Sequence, residues 1–328
     1  MKKIIDRKFC VAPMMGYTTP YARNLYRILS KKTFLFSEMI ATKTLIHSKN
    51  SQAIIANELQ NPIALQVGGS ESDDLKLSSK IAYELNYDEI NLNVGCPSKA
   101  VQKGSFGACL MQDKTLVRNC LEAMQINKNI QVSIKCRIGL GRSFNYEFFE
   151  EFIDEILKSG ITLVYIHARN AILKGISPKG NRTIPPLNYD FVTKIKSKFP
   201  TVTFILNGGI NSIEKALHLS TLHDGVMLGR LIQNNPFCLK NVDKLFYNEA
   251  NNYIISENTI RDYFNFVRPK IGKDSIFRLL SPLLNIFFGI PDGKQFKIDI
   301  HSKMKEHNFD ILEKIFLKFI NEKKLFIN

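Results

Sequence analysis

The chain has 328 residues, of which 45% are hydrophobic and 23% are charged. Such a composition is typical of a folded globular protein and excludes a largely disordered one. No apolar run approaches the ~18 residues that a membrane-spanning helix requires. Asp6, Arg7 and Lys8 interrupt the amino terminus before the apolar segment of a signal peptide can form. We therefore expect a cytoplasmic protein with no membrane association.

The net charge is strongly positive, at +15, with 45 Lys and Arg residues against 30 Asp and Glu residues. A polyanionic partner would explain this excess. A general bias of the chain toward Lys, Ile and Asn would explain it equally well. The six cysteines include no CxxC pair and no His/Cys cluster with metal-ligand spacing, so we predict neither a disulfide framework nor a metal site.

Strand-like apolar segments alternate with helix-like segments up to about residue 245. The predicted strands are Phe9–Met14, Thr33–Glu38, Ile63–Val67, Glu89–Asn93, Gln131–Arg137, Leu163–His167, Thr203–Asn207 and Gly225–Gly229. This alternation indicates parallel βαβ units. Eight such units predict an α/β fold, a TIM (β/α)8 barrel over residues 1–245. A doubly wound open sheet is the alternative, because periodicity does not show closure.

The pattern changes after residue 245, where only helical spacing remains. Three helices are predicted, around Ile260–Val267, Ile276–Phe287 and Ile311–Ile320, the second kinked or broken near Pro282. This spacing therefore predicts that residues 246–328 form a smaller all-helical domain. Its basic residues are Arg268, Lys270, Lys273, Arg278, Lys294, Lys297, Lys303 and Lys305.

Polar or glycine residues fall at the ends of the later predicted strands. They are Gln66, Asn93, Lys135, His167, Asn207 and Gly229. Strands of a parallel barrel are buried on both faces, so polar residues inside them need a reason. Their common level predicts one site at the carboxyl-terminal mouth of the barrel, where active sites of this fold lie.

Cys96 follows the fourth strand in the stretch Asn91–Ser98, between Gly95 and Pro97. Glycine and proline fix the backbone there, so the thiol is placed at the tip of a tight turn. A lone cysteine is more often a small buried hydrophobe. Its position beside the polar strand ends favours a chemical role.

Two glycine-containing turns predict a phosphate site. Asn207-Gly208-Gly209 follows the seventh strand, and Gly229-Arg230 follows the eighth. Lys135 could then be a structural charge, a Schiff-base nucleophile or a cation facing an electron-rich cofactor. A flavin would use Gln66, Lys135 and the phosphate loops together, which leaves Cys96 as a proton donor near its face.

The motifs resemble those of tRNA-dihydrouridine synthases. The similar stretches are Ala12–Met15, Asn91–Ser98, Gly104–Met111, the Lys135 strand and Ile166–Arg169. The segment Ser177–Arg182, which leads into Ile184–Leu187, resembles the bacterial A-type branch of that family.

The resemblance implies an FMN-dependent enzyme that uses NADPH or NADH to reduce the C5–C6 double bond of D-loop uridines at tRNA positions 20 and 20a. Cys96 would be the general acid that protonates C5. FMN would be bound by Pro13, Met14, Met15, Gln66, Lys135, His167, Asn207, Gly208, Gly209, Gly229 and Arg230. The residues that would contact tRNA are Asn93, Lys179, Arg182, Lys294 and Lys297. The implied protein is monomeric and needs no metal.

The sequence departs from the family in three places. Gly180 replaces an expected acidic residue, and Lys294 and Lys297 replace expected arginines, which loses bidentate phosphate recognition but keeps the charge. Residues 17–20 also differ from the common pattern after the first strand. These changes leave the chemistry intact and bear on uridine selection.

Three rival functions are also compatible with parts of the pattern. A flavin barrel that acts on a free pyrimidine, similar to dihydroorotate dehydrogenase, would leave the basic helical region unexplained. A Schiff-base lyase that uses Lys135 would be colourless and trapped by borohydride. A tRNA-binding protein without catalysis would leave Cys96, Lys135 and His167 without a purpose.

Overall fold

The computed structural model describes residues 5–48, 60–249, 257–287, 289–305 and 308–323. Eight parallel strands form the centre of the fold. They are β1 Phe9–Val11, β2 Leu35–Ala41, β3 Ile63–Gly68, β4 Glu89–Val94, β5 Gln131–Arg137, β6 Leu163–His167, β7 Thr203–Asn207 and β8 Gly225–Leu228. The prediction of eight parallel strands is thereby confirmed.

The strands follow one another around a nearly closed barrel. The hydrogen-bonded order is β1-β8-β7-β6-β5-β4-β3-β2. The remaining gap is bridged just before β2, where the Val11 N–H donates to the Phe34 carbonyl over 2.9 Å and the Phe34 N–H donates to the Phe9 carbonyl over 3.0 Å. The TIM-barrel prediction holds, and the open doubly wound sheet is excluded.

Five predicted strands have different limits in the structure, three of them by a single residue (β3, β4 and β8) and β1 and β2 by more. β1 ends at Val11 rather than Met14, because Pro13 has no N–H to donate and the chain then turns, with the Thr18 N–H donating to the Met14 carbonyl over 2.9 Å. β2 begins at Leu35 and continues to Ala41, beyond the predicted end at Glu38. An irregularity in its pairing with β3 between Phe36 and Met39 accommodates this longer strand.

Helices connect the barrel strands and cover its outer surface. They are α1 Pro20–Leu29, α2 Thr42–His47, α3 Ser72–Glu84, α4 Lys99–Lys103, α5 Lys114–Met124, α6 Tyr146–Leu157, α7 Tyr189–Lys198, α8 Ile213–Leu222, α9 Arg230–Asn234 and α10 Val242–Tyr247. Side chains at the N-caps stop several of them from fraying. Asp113, Asn145 and Ser212, for example, each accept a hydrogen bond from a backbone N–H in the first turn.

The barrel has two distinct apolar layers. Outward-facing strand residues pack against the helices in the main core, and a smaller cluster fills the barrel interior. The interior cluster comes from β1 and the residue after it, from β2 and the residue before it, and from β3, β6, β7 and β8. Its members are Cys10, Ala12, Phe34, Phe36, Ala64, Leu163, Tyr165, Ile205 and Met227. The interior faces of β4 and β5 are polar.

The carboxyl-terminal region is helical in the residues that the structure describes. Its helices are α11 Glu257–Val267, α12 Ile276–Leu284, α13 Gly293–Met304 and α14 Phe309–Glu322. Pro282 lies inside α12, which ends two residues later and continues as a 3-10 turn through Phe287. The sequence pattern predicted three helices and missed α13.

The helical region packs against the barrel through α1. Contacts join α1 to α11 and α12, and the Tyr21 hydroxyl donates to the Asp274 carboxylate over 2.9 Å. The predicted division at residue 245 stays a prediction. Helix α10 crosses that position, and its Tyr247 hydroxyl accepts from the Phe9 N–H over 3.1 Å.

Within the described ranges, no helix is long and apolar enough to cross a membrane. The same part of the chain contains no cluster of three or more His, Cys, Asp or Glu residues that could hold a metal ion.

Candidate active site

Cys96 lies in a loop at the carboxyl-terminal end of β4, and hydrogen bonds fix the backbone on both sides of it. The Asn93 side-chain oxygen accepts from the N–H groups of Gly95 (3.1 Å) and Cys96 (3.0 Å). The Ala108 N–H donates to the Cys96 carbonyl over 2.9 Å. The thiol remains partly accessible, with its Sγ 3.5 Å from Ser98 Oγ. The loop therefore holds its backbone rigidly and leaves the sulfur open to a reactant.

Arg137, at the end of β5, is a functional candidate that the sequence analysis missed. Its Nε donates to the Gly95 carbonyl over 2.9 Å, and its Nη1 donates to the carbonyls of Asn170 (2.9 Å) and Asn181 (3.0 Å). Burial lowers the pKa of Arg137 to about 10, and attraction to the Cys96 sulfur opposes that shift. One buried guanidinium thus joins the Cys96 loop to the long loop after β6.

Lys135 points from β5 across the mouth toward β7. Its Nζ donates to the Asn207 side-chain oxygen over 3.0 Å, and the Asn207 amide donates in turn to the Met227 carbonyl over 2.7 Å. Burial, and then repulsion from Arg137, lowers the pKa of Lys135 to about 8. The structure brings together Lys135 and Asn207, as predicted, and ties both to β8.

His167 lies at the mouth beside the β7 turn. Burial lowers the pKa of His167 well below its usual value, and Arg137, Lys135, Arg169 and Arg230 all act in the same direction. The imidazole is therefore neutral at neutral pH. A neutral ring offers one donor and one acceptor to a ligand, whereas a charged one offers donors alone.

The turn after β7 requires its two glycines. Gly208 and Gly209 have φ values of +115° and +65°, and a Cβ at Gly208 would lie 2.5 Å from the His167 ring. A Cβ at Gly209 would lie 2.3 Å from Leu187. The turn can pack this closely against its neighbours because it has no side chains.

The loop after β1 closes another side of the mouth. Gly229 at the end of β8 approaches Met14, since a Cβ there would lie 3.2 Å from the Met14 sulfur. The Met14 N–H donates to Thr18 Oγ1 over 3.0 Å, while the Met15 side chain is 69% exposed. Pro13 and Met14 are partly buried, so the predicted cofactor residues of this loop lie at one rim of the barrel.

Gln66 and Asn93 lie next to each other inside the barrel. The Asn93 amide donates to the Gln66 side-chain oxygen over 2.8 Å. Asn93 is only 8% exposed, and both of its polar atoms have internal partners. Its predicted contact with tRNA stays a prediction, while its observed role is to fix the Cys96 loop.

The loop between β6 and α7 carries Lys179 and Arg182, both exposed. Asn181, between them, is fully buried and bonds the Ile172 backbone through both its oxygen (2.7 Å) and its amide nitrogen (2.9 Å). The Arg230 guanidinium donates to the Arg182 carbonyl over 3.2 Å. The two cations are thus displayed from a fixed loop that contacts the predicted phosphate side of the mouth.

The basic residues of the helical region differ in their ion pairing and in their exposure to solvent. Arg268 forms ion pairs with Asp310 (2.5 Å) and Glu313 (2.8 Å), and Arg278 forms one with Asp274 at 3.1 Å. Lys294 is exposed on α13 and Lys297 is partly buried, which lowers the pKa of Lys297.

A cavity of about 910 Å³ opens at the opposite end of the barrel. Its lining comes from residues at or before the amino-terminal ends of the strands, including Arg7, Asp88 and Asp224. Active sites of this fold lie at the other end, where Cys96 and Lys135 are found. The reactive side chains, rather than the size of a cavity, therefore identify the carboxyl-terminal mouth as the candidate active site.

The mouth fits an anionic cofactor. The pKa values of Lys135 and His167 are lowered by surrounding cations as well as by burial, so positive charge is concentrated there. An anion placed among these groups would offset that repulsion. The glycine turns and Arg230 suit a phosphate, and the fixed amide of Gln66 suits the polar edge of a ring.

The fold and the mouth define a barrel enzyme with an accessible thiol above a cationic cofactor pocket. Comparison with known proteins makes this assignment specific. A family profile described as Dihydrouridine synthase matches residues 10–316. The chain belongs to the dihydrouridine synthase family.

Individual relatives agree with the family match. The chain is 38% identical to the tRNA-dihydrouridine(20/20a) synthase of Shewanella oneidensis over 297 residues, covering 90% of this chain and 88% of that one. It is 40% identical over 293 residues to the proteins of the same name from Vibrio cholerae and Escherichia coli, covering 88% of this chain and 89% and 84% of theirs. Among solved structures, an old yellow enzyme homologue from Zymomonas mobilis has a TM-score of 0.51 at 12% identity, covering 77% of this chain and 92% of that one. This last likeness confirms the barrel fold.

Proposed function

We propose that this protein reduces the C5–C6 double bond of uridines 20 and 20a in the tRNA D-loop, giving 5,6-dihydrouridine. FMN would be the bound cofactor, and NADPH or NADH would be the reductant. The observation that carries the proposal is the fixed Cys96 loop beside the cationic pocket of Lys135 and His167, in a chain of this family.

The residues around the mouth have complementary roles toward FMN. Gln66, Lys135 and neutral His167 would bind the flavin ring, and Asn207 would lie toward the phosphate end. Lys135 would stabilise negative charge on the polar edge of the ring. Gly208, Gly209, Gly229 and Arg230 would hold the phosphate, and Pro13, Met14 and Met15 would enclose the flavin from the β1 side. When bound, FMN supplies the hydride for C6 of the uracil.

Cys96 would complete the reduction by general-acid catalysis. Its S–H bond breaks as a new C5–H bond forms, which leaves a thiolate that solvent reprotonates. Lys135 and Arg137 both interact electrostatically with this sulfur. The Ser98 hydroxyl, 3.5 Å from Sγ, gives the sulfur a hydrogen-bond partner in either state.

A uridine in folded tRNA must leave its stack to reach this mouth, at a cost of a few kcal/mol. Phosphate contacts would offset that cost. Lys179 and Arg182 on the β6–α7 loop, and Lys294 and Lys297 on α13, would supply these contacts. On this proposal the barrel of residues 1–245 performs the chemistry and residues 246–328 form a tRNA-binding domain.

A monomer acting in the cytoplasm, where tRNA is found, is the simplest form of this proposal. Tyr21 and Asp274 already join the helical region to the barrel within one chain, so one molecule carries both predicted tRNA-binding surfaces.

The direct test is reconstitution with an unmodified tRNA transcript that contains uridine at positions 20 and 20a. The purified protein should be yellow. With NADPH it should add two hydrogens to each of the two uridines, as measured by mass spectrometry of nuclease fragments of the transcript. A transcript with cytidine at both positions should gain none. Reduction of free uracil or orotate, with the transcript untouched, would favour the free-pyrimidine enzyme instead.

A further inference from the structure

A continuous chain of hydrogen bonds crosses the barrel interior below the mouth. The Asn93 amide donates to Gln66 Oε1 over 2.8 Å, and the Gln66 amide donates to Asn91 Oδ1 over 2.8 Å. The Asn91 amide then donates to Ser133 Oγ over 2.7 Å, and the Ser133 hydroxyl donates to the Glu89 carboxylate. These five side chains are 0% to 8% exposed, so the chain is shielded from water.

Both ends of the chain fix its direction. At the lower end, Glu89 also accepts from Arg7 Nε (2.9 Å) and Nη2 (2.7 Å) and from the Tyr165 hydroxyl (3.2 Å). An ionised carboxylate only accepts hydrogen bonds, so Ser133 must donate to it.

At the upper end, the Asn93 oxygen accepts from two backbone N–H groups of the Cys96 loop, which can only donate. Asn93 must therefore turn its amide toward Gln66. Between these ends, each side chain has one orientation that satisfies its neighbours, and every amide donates toward Glu89.

We propose that Glu89, Asn91 and Ser133 are positioning residues: from the amino-terminal end of the barrel they hold the Gln66 amide at the mouth in the orientation that lets its oxygen accept from Asn93. This inference rests on the proposed function, in which Gln66 binds the flavin edge. The hydrogen-bond chain fixes the positions of the Gln66 amide nitrogen and oxygen. It therefore decides where the remaining N–H of the nitrogen and the remaining lone pair of the oxygen meet the ring. It also holds the Asn93 oxygen against the backbone of Cys96.

A purely structural role makes a different prediction. If the chain only satisfies buried polar groups, breaking it lowers stability and leaves the mouth unchanged. If it orients Gln66, breaking it also changes how the flavin is bound. The two roles are separated by measurements on the cofactor itself.

The experiment compares Ser133→Ala with Ser79→Ala. Ser79 is a matched control because it is equally buried and its hydroxyl donates to the Met124 carbonyl over 2.8 Å, outside the chain. Both variants should unfold at a lower temperature than the parent. Ser133→Ala alone should bind FMN about tenfold more weakly and shift the visible absorption bands of the bound flavin. FMN affinity and bands like those of the parent in a folded Ser133→Ala would overturn the inference.

A second measurement needs no flavin. In the FMN-free protein, the side-chain amide protons of Gln66 and Asn91 should exchange slowly with deuterated solvent, as followed by nitrogen-15 NMR. Ser133→Ala should accelerate both, and Ser79→Ala neither. Equal exchange in all three proteins would refute the chain as an orienting device. If the parent binds no FMN, the proposed function fails separately, while this exchange measurement still decides whether the amides are held.

Discussion

The mouth of the barrel and the carboxyl-terminal helices both concentrate positive charge, but they hold it differently. At the mouth, Lys135 and Arg137 are directed by hydrogen bonds to named carbonyl and amide oxygens, and burial lowers the pKa of each. On the helices, Lys294 is exposed, and Arg268 is paired with two surface carboxylates.

The difference separates two uses of charge. Buried cations act over a few ångströms in a low effective dielectric, so their exact placement matters. Exposed cations act through a field that salt screens over about 8–10 Å, so their number matters more than their placement. Changes at the mouth should therefore have large, specific effects, and changes on the helices small, salt-dependent ones.

Cys96→Ala should have the largest effect. Loss of the general acid should lower the rate of uridine reduction about 10²- to 10⁴-fold, while FMN content stays that of the parent because the thiol is not assigned to flavin binding. Single-turnover assays with pre-reduced enzyme and the tRNA transcript would measure it. Cys109→Ala is the control, since Cys109 is also partly accessible but its thiol bonds the Phe106 carbonyl. Parent-like turnover by Cys96→Ala would remove Cys96 as the acid.

Arg137→Lys should have the next largest effect. Lysine keeps the charge but cannot hold the three carbonyls that the guanidinium joins, so both loops should shift. A misplaced reacting group of this kind lowers kcat/KM for tRNA by roughly 10- to 100-fold. FMN content should change little. Arg142→Lys, an exposed position, serves as the control. If Arg137→Lys matched the parent in kcat/KM, charge alone would account for the residue.

The pH dependence of FMN binding tests Lys135. Below a pKa of about 8 this side chain is protonated and attracts the anionic cofactor, and above it the attraction is lost. FMN affinity should therefore fall as pH rises from about 7 to about 9, by at most about tenfold per unit. Lys135→Arg, which stays charged, should show a flat profile. An equally steep profile in Lys135→Arg would mean that another group titrates.

The same pKa shift fixes the sign of a stability effect. An unfolded lysine keeps its proton up to about 10.5, whereas the folded one loses it near 8. Between these values the unfolded state binds more protons, so Lys135 contributes stability to the FMN-free protein as pH rises through that window.

The parts of this molecule that local sequence determines were predictable. Period-two alternation placed Gln66, Lys135, His167 and Asn207 at strand ends, and the parallel barrel brings those ends to one rim. Gly95 and Pro97 similarly indicated the Cys96 turn. These signals lie within a few residues of the feature that they predict, and their roles toward the flavin stay predictions.

Other parts depend on partners that are distant in the chain. Arg137 bonds Gly95 and Asn181, which are 42 and 44 residues away, and Glu89 meets Arg7 from 82 residues away. In the sequence, these contacts of Arg137 and Glu89 were indicated only by the presence of a polar residue within a strand. Helix α13 was missed because its buried face has only Gly293, Phe296, Ile300 and Met304 among charged neighbours.

Lys294→Ala combined with Lys297→Ala should have the smallest effect, and it tests the helical side of the comparison. Removal of two phosphate contacts should lower tRNA affinity several-fold at low salt and reduce the slope of log affinity against log salt by up to about 2. FMN binding should be unchanged. Filter binding across a salt series would measure it, with Lys76→Ala combined with Lys80→Ala on α3 as a control of equal charge change. Since Lys297 is partly buried, its single variant should also be compared with that of Lys294. A slope equal to that of the parent would place tRNA elsewhere on the protein, whereas equal slopes in both double variants would show that net charge, not α13, sets the affinity.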